Sequence, residues 1–297
     1  MLLKDRTAEA DRVEAAECLE RYLALASRSP PEPGASAPSA AHRNQACTAS
    51  HFLAALRGDA TAAAPAQYVA GLFDAYADRF DDHLVNDLGY RTPQMIADEI
   101  QRAAPCQAGF ECCADLGCGT GLTVPLLRQL GVRRLEGVDL SAGMLRKARE
   151  NYGPGVGYDR LVCGDLVDIF APEGQGSPAP TFDLVVAADV FVYVGDLAPV
   201  LSATSQCLAR PHGLVVFSTE APPRGGGANE DAGRVPAGGF RLGPQGRYLH
   251  SAAYVRATAE ACGLTLTRRS SVVLRYNGGK PVHGHIHVLR PAGEARS

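Results

Sequence analysis

Three glycines at alternate positions, Gly117, Gly119 and Gly121, follow an apolar run that ends at Asp115 and Leu116. A helix-like stretch starts at Leu122. Glycine in such a turn accepts positive φ and lets a ligand approach the backbone closely. The unsatisfied N–H groups that open the next helix favour an anion. Strand, tight turn and helix in this order read as the ligand-contacting turn of a nucleotide-binding α/β fold. Carboxylates close the next two strands. Asp139 ends Gly-Val-Asp, 22 residues after Gly117, and Asp165 ends Cys-Gly-Asp. A carboxylate at the end of the second strand can accept hydrogen bonds from both hydroxyls of a ribose. Asp115, just ahead of the glycines, can order the turn or meet an amino group. Any one of these acids taken singly reads as a strand-end cap. Three at successive strand ends beside the glycine string read as a site.

Further candidates follow. Asp189 and Tyr193 lie in Ala188-Asp-Val-Phe-Val-Tyr193, past a fourth apolar run. In an open parallel sheet that position borders the ligand crevice. His250, in Arg247-Tyr-Leu-His, can take a proton from a nucleophile, or it can be a packing histidine. His283, His285 and His287 alternate on one strand face. Same-face neighbours on a strand are about 7 Å apart, too wide for three imidazoles to share one ion. No metal site is therefore expected, and a half-exposed strand face is the preferred reading.

These residues need a scaffold that brings strand ends together. The strand-like runs are Glu111–Leu116, Arg134–Val138, Leu161–Cys163, Phe182–Ala188 and Leu214–Thr219. Helix-like stretches between them span 121–130, 142–151 (Ser141 as N-cap) and 195–209. Repeated β-α units with short connections imply a doubly wound, mostly parallel sheet. Two last strands, Leu264–Tyr276 and Val282–Leu289, joined by Asn277-Gly278-Gly279-Lys280, form an antiparallel hairpin. Residues 221–239 carry Gly, Pro and Ala without periodicity and read as a mobile loop able to fold over the crevice. Upstream, Phe73, Tyr76, Phe80 and Leu84 share one helical stripe. Tyr76 and Phe80 are expected to cover a ligand, with Phe73 and Leu84 in the core. Residues 1–65 form a helical segment, with helices over 7–28 and 46–57 and a Pro/Ser/Ala linker at 29–41. The catalytic domain is expected over 66–297.

The 297 residues are 46% hydrophobic, which allows a sizeable core, and the formal charge is −3 with a pI near 6.2. That balance disfavours broad nucleic-acid binding. Nine cysteines have no paired spacing, as in a reduced, cytoplasmic protein. No apolar run approaches 18 residues, so no membrane span is expected. The acidic N-terminal stretch is unlike a transit peptide.

The string Asp115-Leu-Gly-Cys-Gly-Thr-Gly121 resembles the first motif of class I S-adenosylmethionine-dependent methyltransferases. A dinucleotide fingerprint would place its third glycine at residue 122, which is leucine. The longer stretch 66–290 is similar to a methyltransferase family often preceded by tetratricopeptide repeats. Leu72–Asp81, Leu88–Arg91, Gly137–Ser141, Ala187–Val190 and Arg247–Ser251 carry the likeness, and Arg12–Pro30 resembles part of one repeat. The resemblance implies a seven-stranded sheet with an antiparallel terminal hairpin and an N-terminal helical cap. It implies S-adenosylmethionine as cofactor, held by Tyr76, Asp115, Gly117, Cys118, Gly119, Gly121, Asp139, Leu140, Met144, Asp165, Leu166 and Ala188. Within it, Asp165 accepts from the adenine amino group. His250, Asp189 and Tyr193 are then the catalytic candidates. Asp189-Val190-Phe191 lacks the two prolines usual in amino-directed nucleic-acid enzymes, so the expected acceptor is a small molecule, or else an exposed protein side chain. The rival readings are an NAD(P)-dependent oxidoreductase and a non-catalytic adenosylmethionine-binding adaptor.

Overall fold

The computed structural model describes residues 2–28, 40–59, 61–84, 89–153, 155–172, 174, 177–222 and 239–293. The closing loop expected over 221–239 lies almost wholly outside these residues, as do most of the 29–41 linker and Leu88.

Five short strands, β1 (Phe110–Leu116), β2 (Val132–Asp139), β3 (Arg160–Cys163), β4 (Leu184–Ala187) and β5 (Leu214–Glu220), lie parallel in the order β3-β2-β1-β4-β5. The chain order reverses between β1 and β4, which opens a crevice at the carboxyl ends of those strands. β4 and β5 are buried along their whole length, as strands covered on both faces must be. Helices Thr92–Ala103 and Val124–Gln129 cover one face through Ile96, Ile100, Val124 and Leu127. Helices Ala198–Cys207 and Ala252–Ala261 cover the other through Val200, Leu201, Val255 and Ala259. Each such aliphatic side chain, fully buried, contributes about 1.5–3 kcal/mol. Helix Ala142–Asn151 starts where expected, because Ser141 Oγ accepts the Met144 N–H at 3.0 Å.

The hairpin of β8 (Leu264–Asn277) and β9 (Lys280–Pro291) completes the seven-stranded sheet, with β9 antiparallel to β5 from Val215↔Leu289 to Glu220↔Gly284. Two further strands, β6 (Phe240–Leu242) and β7 (Tyr248–His250), form a ribbon that meets β5 at the single pair Glu220↔Leu249. That makes nine strands among the described residues. Each ribbon strand has three residues, too short for an alternating pattern to register.

The N-terminal helices Leu2–Arg28 and Ala40–Arg57 are longer than their apolar spacing suggests and pack on each other, with Arg12 Nη2 donating to the Leu56 carbonyl at 3.1 Å. The second one reaches the ribbon, where His51 Nε2 donates to the Gly246 carbonyl at 2.9 Å. Residues 61–64 then run along the carboxyl end of β4. Ala64 N–H donates to the Tyr193 carbonyl at 2.9 Å, and the Gly195 and Asp196 N–H groups both reach the Ala62 carbonyl at 2.8 Å. The segment before residue 66 is thus stitched into the sheet domain.

Helix Ala66–Tyr76 and the helical turns Ala77–Arg79 and Phe80–Asp82 form a roof over the crevice. Two carboxylates pin it down. Asp74 Oδ1 accepts from Ser141 Oγ at 2.6 Å and from the Gly143 N–H at 2.8 Å. Asp81 accepts from Thr120 Oγ1 at 2.5 Å and from Asn151 Nδ2 at 3.1 Å.

Candidate active site

After Leu116 the chain turns back through Gly117, Gly119 and Gly121, whose φ values are +63°, +54° and +90°. At Gly117 a side chain has no room, because a Cβ would lie 2.5 Å from Val190 Cγ2. The turn is held from the next strand end. Asp139 Oδ2 accepts the Gly119 N–H at 2.9 Å and Oδ1 accepts the Ser141 N–H at 2.8 Å. Burial pushes the Asp139 carboxyl up, opposed by these two N–H groups. Each oxygen keeps a second lone pair for a ligand hydroxyl. Asp165 Oδ1 accepts the Val167 N–H at 3.3 Å and caps the short helix Leu166–Phe170.

A cavity of about 580 Å³ opens at these carboxyl ends, within the range of small-molecule sites. Followed in sheet order, its wall passes from Asp165, Leu166 and Val167 after β3, through Asp139, Leu140 and Met144, to Gly117 and Gly119. It continues through Ala188, Asp189, Val190 and Tyr193 after β4 and reaches Arg275 on β8. Phe73, Tyr76, Phe80 and Leu84 border it from the roof, and Ala62, Ala63 and Ala64 from the preceding segment. The aromatic rings interlock edge to face, Phe73 against Phe80 at 5.9 Å and against Tyr193 at 5.5 Å. All four stripe residues therefore face the cavity, whereas Phe73 and Leu84 were expected in the core alone.

Most of the sequence-derived site residues meet here: Tyr76, Gly117, Gly119, Asp139, Leu140, Met144, Asp165, Leu166, Ala188, Asp189 and Tyr193 all border the cavity. Asp115, Cys118, Gly121 and His250 do not. Asp115 is 1% exposed and its carboxylate takes the Thr123 hydroxyl and, at 2.7 Å, the Tyr158 hydroxyl. It orders the turn from beneath. Cys118 is buried behind the turn, its N–H on the Val138 carbonyl at 3.0 Å, and Gly121 packs against Tyr152. His250 was expected beside the acceptor, but it is 0% exposed, donates from Nε2 to the Gly195 carbonyl at 3.1 Å and stacks on Tyr254. Burial lowers its pKa to about 4. It is the last residue of β7, paired with Phe240 across the β6–β7 ribbon, and that ribbon, unread in the sequence, turns it away from the cavity. The strand face of the three alternating histidines is partly exposed, as expected: His283 is exposed, His285 half-buried, and His287 fully buried and hydrogen-bonded to the Thr219 hydroxyl at 2.9 Å. Among the described residues no group of three His, Cys, Asp or Glu is placed to hold a metal, and no helix is long and apolar enough to cross a membrane.

The structure adds residues that sequence reasoning passed over. Arg275 is 4% exposed and bridges two carboxylates, donating from Nη1 to Asp189 Oδ2 and from Nη2 to Glu220 Oε1. Arg247 reaches the same Glu220 oxygen at 3.3 Å. Asp189 itself holds a left-handed backbone with φ +61°, and its N–H donates to Ser218 Oγ at 2.8 Å. Non-glycine residues in that region cluster where function demands it, Asp and Asn most readily. Burial raises the Asp189 and Glu220 carboxyls, with Arg275 opposing. Burial also pushes the Tyr193 phenol up to about 12, so at neutral pH it offers a proton and is no base. No sequence signal marked Arg275, which follows an ordinary apolar run. Asp74 and Asp81 did carry one, since they lie two helical turns apart in the stripe-bearing segment.

The Tyr76 hydroxyl is hydrogen-bonded to His83 Nδ1, and its ring meets Phe80 edge-on at 5.5 Å. Tyr76→Ala should weaken adenosylmethionine binding by about 1–2 kcal/mol in calorimetry. Unchanged affinity with a clearly lower melting temperature would make the stripe a packing feature only.

A doubly wound sheet with this strand order and an antiparallel hairpin is the class I methyltransferase architecture. Residues 88–269 match the methyltransferase domain family, and the chain belongs to it. It is 33% identical over 151 residues to methyltransferase-like protein 27 of Homo sapiens, covering 50% of this chain and 56% of that protein. It is 29% identical over 114 residues to an uncharacterized protein of Haemophilus influenzae, covering 36% and 41% respectively. The chain spans about half the length of these curated relatives. Among solved structures, the fold is shared with 1,6-didemethyltoxoflavin-N1-methyltransferase of Burkholderia thailandensis at TM-score 0.53 and 16% identity, over 79% of this chain and 93% of that one. It is also shared with an S-adenosylmethionine-dependent methyltransferase of Clostridium acetobutylicum at 0.50 and 17%, over 75% and 100%.

Proposed function

We propose that this methyltransferase binds S-adenosylmethionine in the cavity and passes its methyl group to a small molecule with an apolar body. One observation carries the reading. Gly117 and Gly119 of the turn share a single cavity with the carboxylates that end or follow the two neighbouring strands, Asp139 and Asp165, and with apolar Leu140, Leu166 and Val167. That set fits the cofactor. Asp139 offers lone pairs to ribose hydroxyls, Asp165 accepts from an amino group, and the leucines and valine flank a flat base. The open backbone at Gly119, where a Cβ would meet nothing nearer than Phe80 at 3.9 Å, leaves room for a close ligand. The sulfonium methyl arrives already activated, so the protein's contribution is placement of the acceptor. The roof and residues 62–64 wall the cavity on two sides, which suits a small acceptor better than a side chain on a folded protein. The relative from Burkholderia thailandensis is named for such a substrate.

Calorimetric titration with S-adenosylhomocysteine and with NAD(P)H separates this reading from a dinucleotide oxidoreductase. Labelled methyl transfer into a metabolite extract separates it from a binding adaptor. Asp139→Ala should lower adenosylhomocysteine affinity by about 1–3 kcal/mol, since it leaves ribose hydroxyls unpaired. A folded variant with wild-type affinity would remove Asp139 from the ribose.

A further inference from the structure

We infer that Arg275 is the positioning residue of the acceptor site, and that the Asp189–Arg275–Glu220–Arg247 chain selects an uncharged acceptor that donates an N–H or O–H. This rests on the cavity being the methyl-transfer site proposed above.

The placement follows from topology. Asp139 and Asp165 occupy the β2 and β3 side of the cavity, leaving the β4–β5–β8 side for the acceptor. Two local distortions and one strand contact converge there. Asp189 is held at positive φ. The register of β8 against β9 shifts between Val273 and Arg275, a bulge that re-aims the side chain beyond it. The ribbon touches β5 at Glu220, two residues from Arg247 in register terms, since Glu220 pairs Leu249. Together they build a buried ion-pair chain whose inner members, Arg275 and Glu220, have side chains 4% and 6% exposed.

The charges decide the ligand class. Two guanidinium groups meet two carboxylates, so the chain is neutral overall. The Arg275 donors are directed at protein carboxylates, and Arg247 is paired with Glu220. An anionic acceptor that engaged Arg275 would have to displace Asp189 or Glu220 and leave a buried carboxylate unpaired, which is strongly unfavourable. What Asp189 lacks is a second donor. Asp189 Oδ1 is buried with no hydrogen-bond partner, while Oδ2 is fixed by Arg275. A neutral hydroxyl, amine or amide supplies the missing donor, and Asp189 is also placed to receive the proton that such a nucleophile loses. The apolar remainder of the wall, Val190, Tyr193, Ala63 and Phe73, suits a flat or aliphatic body.

The test uses four probes of one shape: phenol, aniline, anisole and benzoate. Their binding to the full chain is measured by ligand-observed NMR, with and without saturating S-adenosylhomocysteine. Phenol and aniline should bind at least about tenfold more tightly than anisole, the discrimination of one hydrogen bond to a charged group, and benzoate most weakly. Preference for benzoate, or no difference between phenol and anisole, overturns the inference. Failure to bind adenosylhomocysteine strikes the cofactor reading alone, because the probe order is still read without it. Arg275→Gln should erase the order while adenosylhomocysteine still binds, and Arg275→Lys should restore part of it. If Arg275→Gln lowers only the melting temperature, or abolishes adenosylhomocysteine binding with the probe order intact, Arg275 does not position the acceptor. Should Arg275→Gln not fold, the wild-type order and Arg275→Lys decide.

Discussion

Gly117→Ala will remove cofactor binding and destabilise the fold by about 2–5 kcal/mol, the sum of a left-handed backbone at a non-glycine residue and an overpacked contact. The added Cβ would lie 2.5 Å and 2.8 Å from the two Cγ atoms of Val190, at a residue whose φ is +63°. Val190 follows Asp189 in the loop that borders the cavity, so relief of the clash moves the acceptor wall as well as the glycine turn. Chemical denaturation and adenosylhomocysteine calorimetry read the two effects separately. Val190→Ala removes the clashing atoms. The double variant should therefore recover the packing part of the loss and none of the backbone part, a coupling that a double-mutant cycle isolates. A Gly117→Ala protein with wild-type melting and affinity would mean that the turn does not touch the ligand.

The second large effect concerns pH. Burial lowers the His250 pKa from 6.5 to about 4. A base whose folded pKa is depressed binds fewer protons folded than unfolded between those values. Stability is then complete above pH 6.5 and is lost as the pH falls toward 4, by about 3 kcal/mol in all. His287, pushed down by burial and by His285, acts with the same sign. Asp115 opposes both. Burial raises it from 3.8 to about 6, so it binds more protons folded and favours the native state as the pH falls through that window. The measurement is therefore the difference between wild type and His250→Gln, which keeps a donor for the Gly195 carbonyl. That difference should shrink steadily from pH 7 to pH 4.5 in urea denaturation. Parallel curves would show that His250 titrates alike in both states.

Much of this architecture was legible because its signals are local. The glycine turn, the carboxylates at 139 and 165 and the Ser141 cap each depend on a few consecutive residues. The same holds for the Asn277–Lys280 hairpin turn. Each strand of the parallel sheet carries a short apolar run, from Leu-Val-Val-Ala in β4 to Leu-Val-Val-Phe in β5. The site residues that escaped depend on distant pairing. Arg275 becomes a site residue only because β9 lies between β8 and β5, and a bulge in β8 changes which face it meets. His250 left the site because three residues on either side of a tight turn pair into a ribbon that has no periodicity to read. Asp115, the first residue of the glycine motif, spends its carboxylate on the Thr123 and Tyr158 hydroxyls and does not border the cavity.

The cavity takes one wall from residues 62–64 and another from Arg275, parts of the chain that leave the ribosome far apart in time. A nascent chain that has reached β5 already carries the glycine turn, Asp139, Asp165 and Asp189. It lacks both guanidinium groups that neutralise Asp189 and Glu220 in the finished fold. The order of synthesis thus leaves the ion-pair chain through Arg275 as the last part of the cavity wall to be completed.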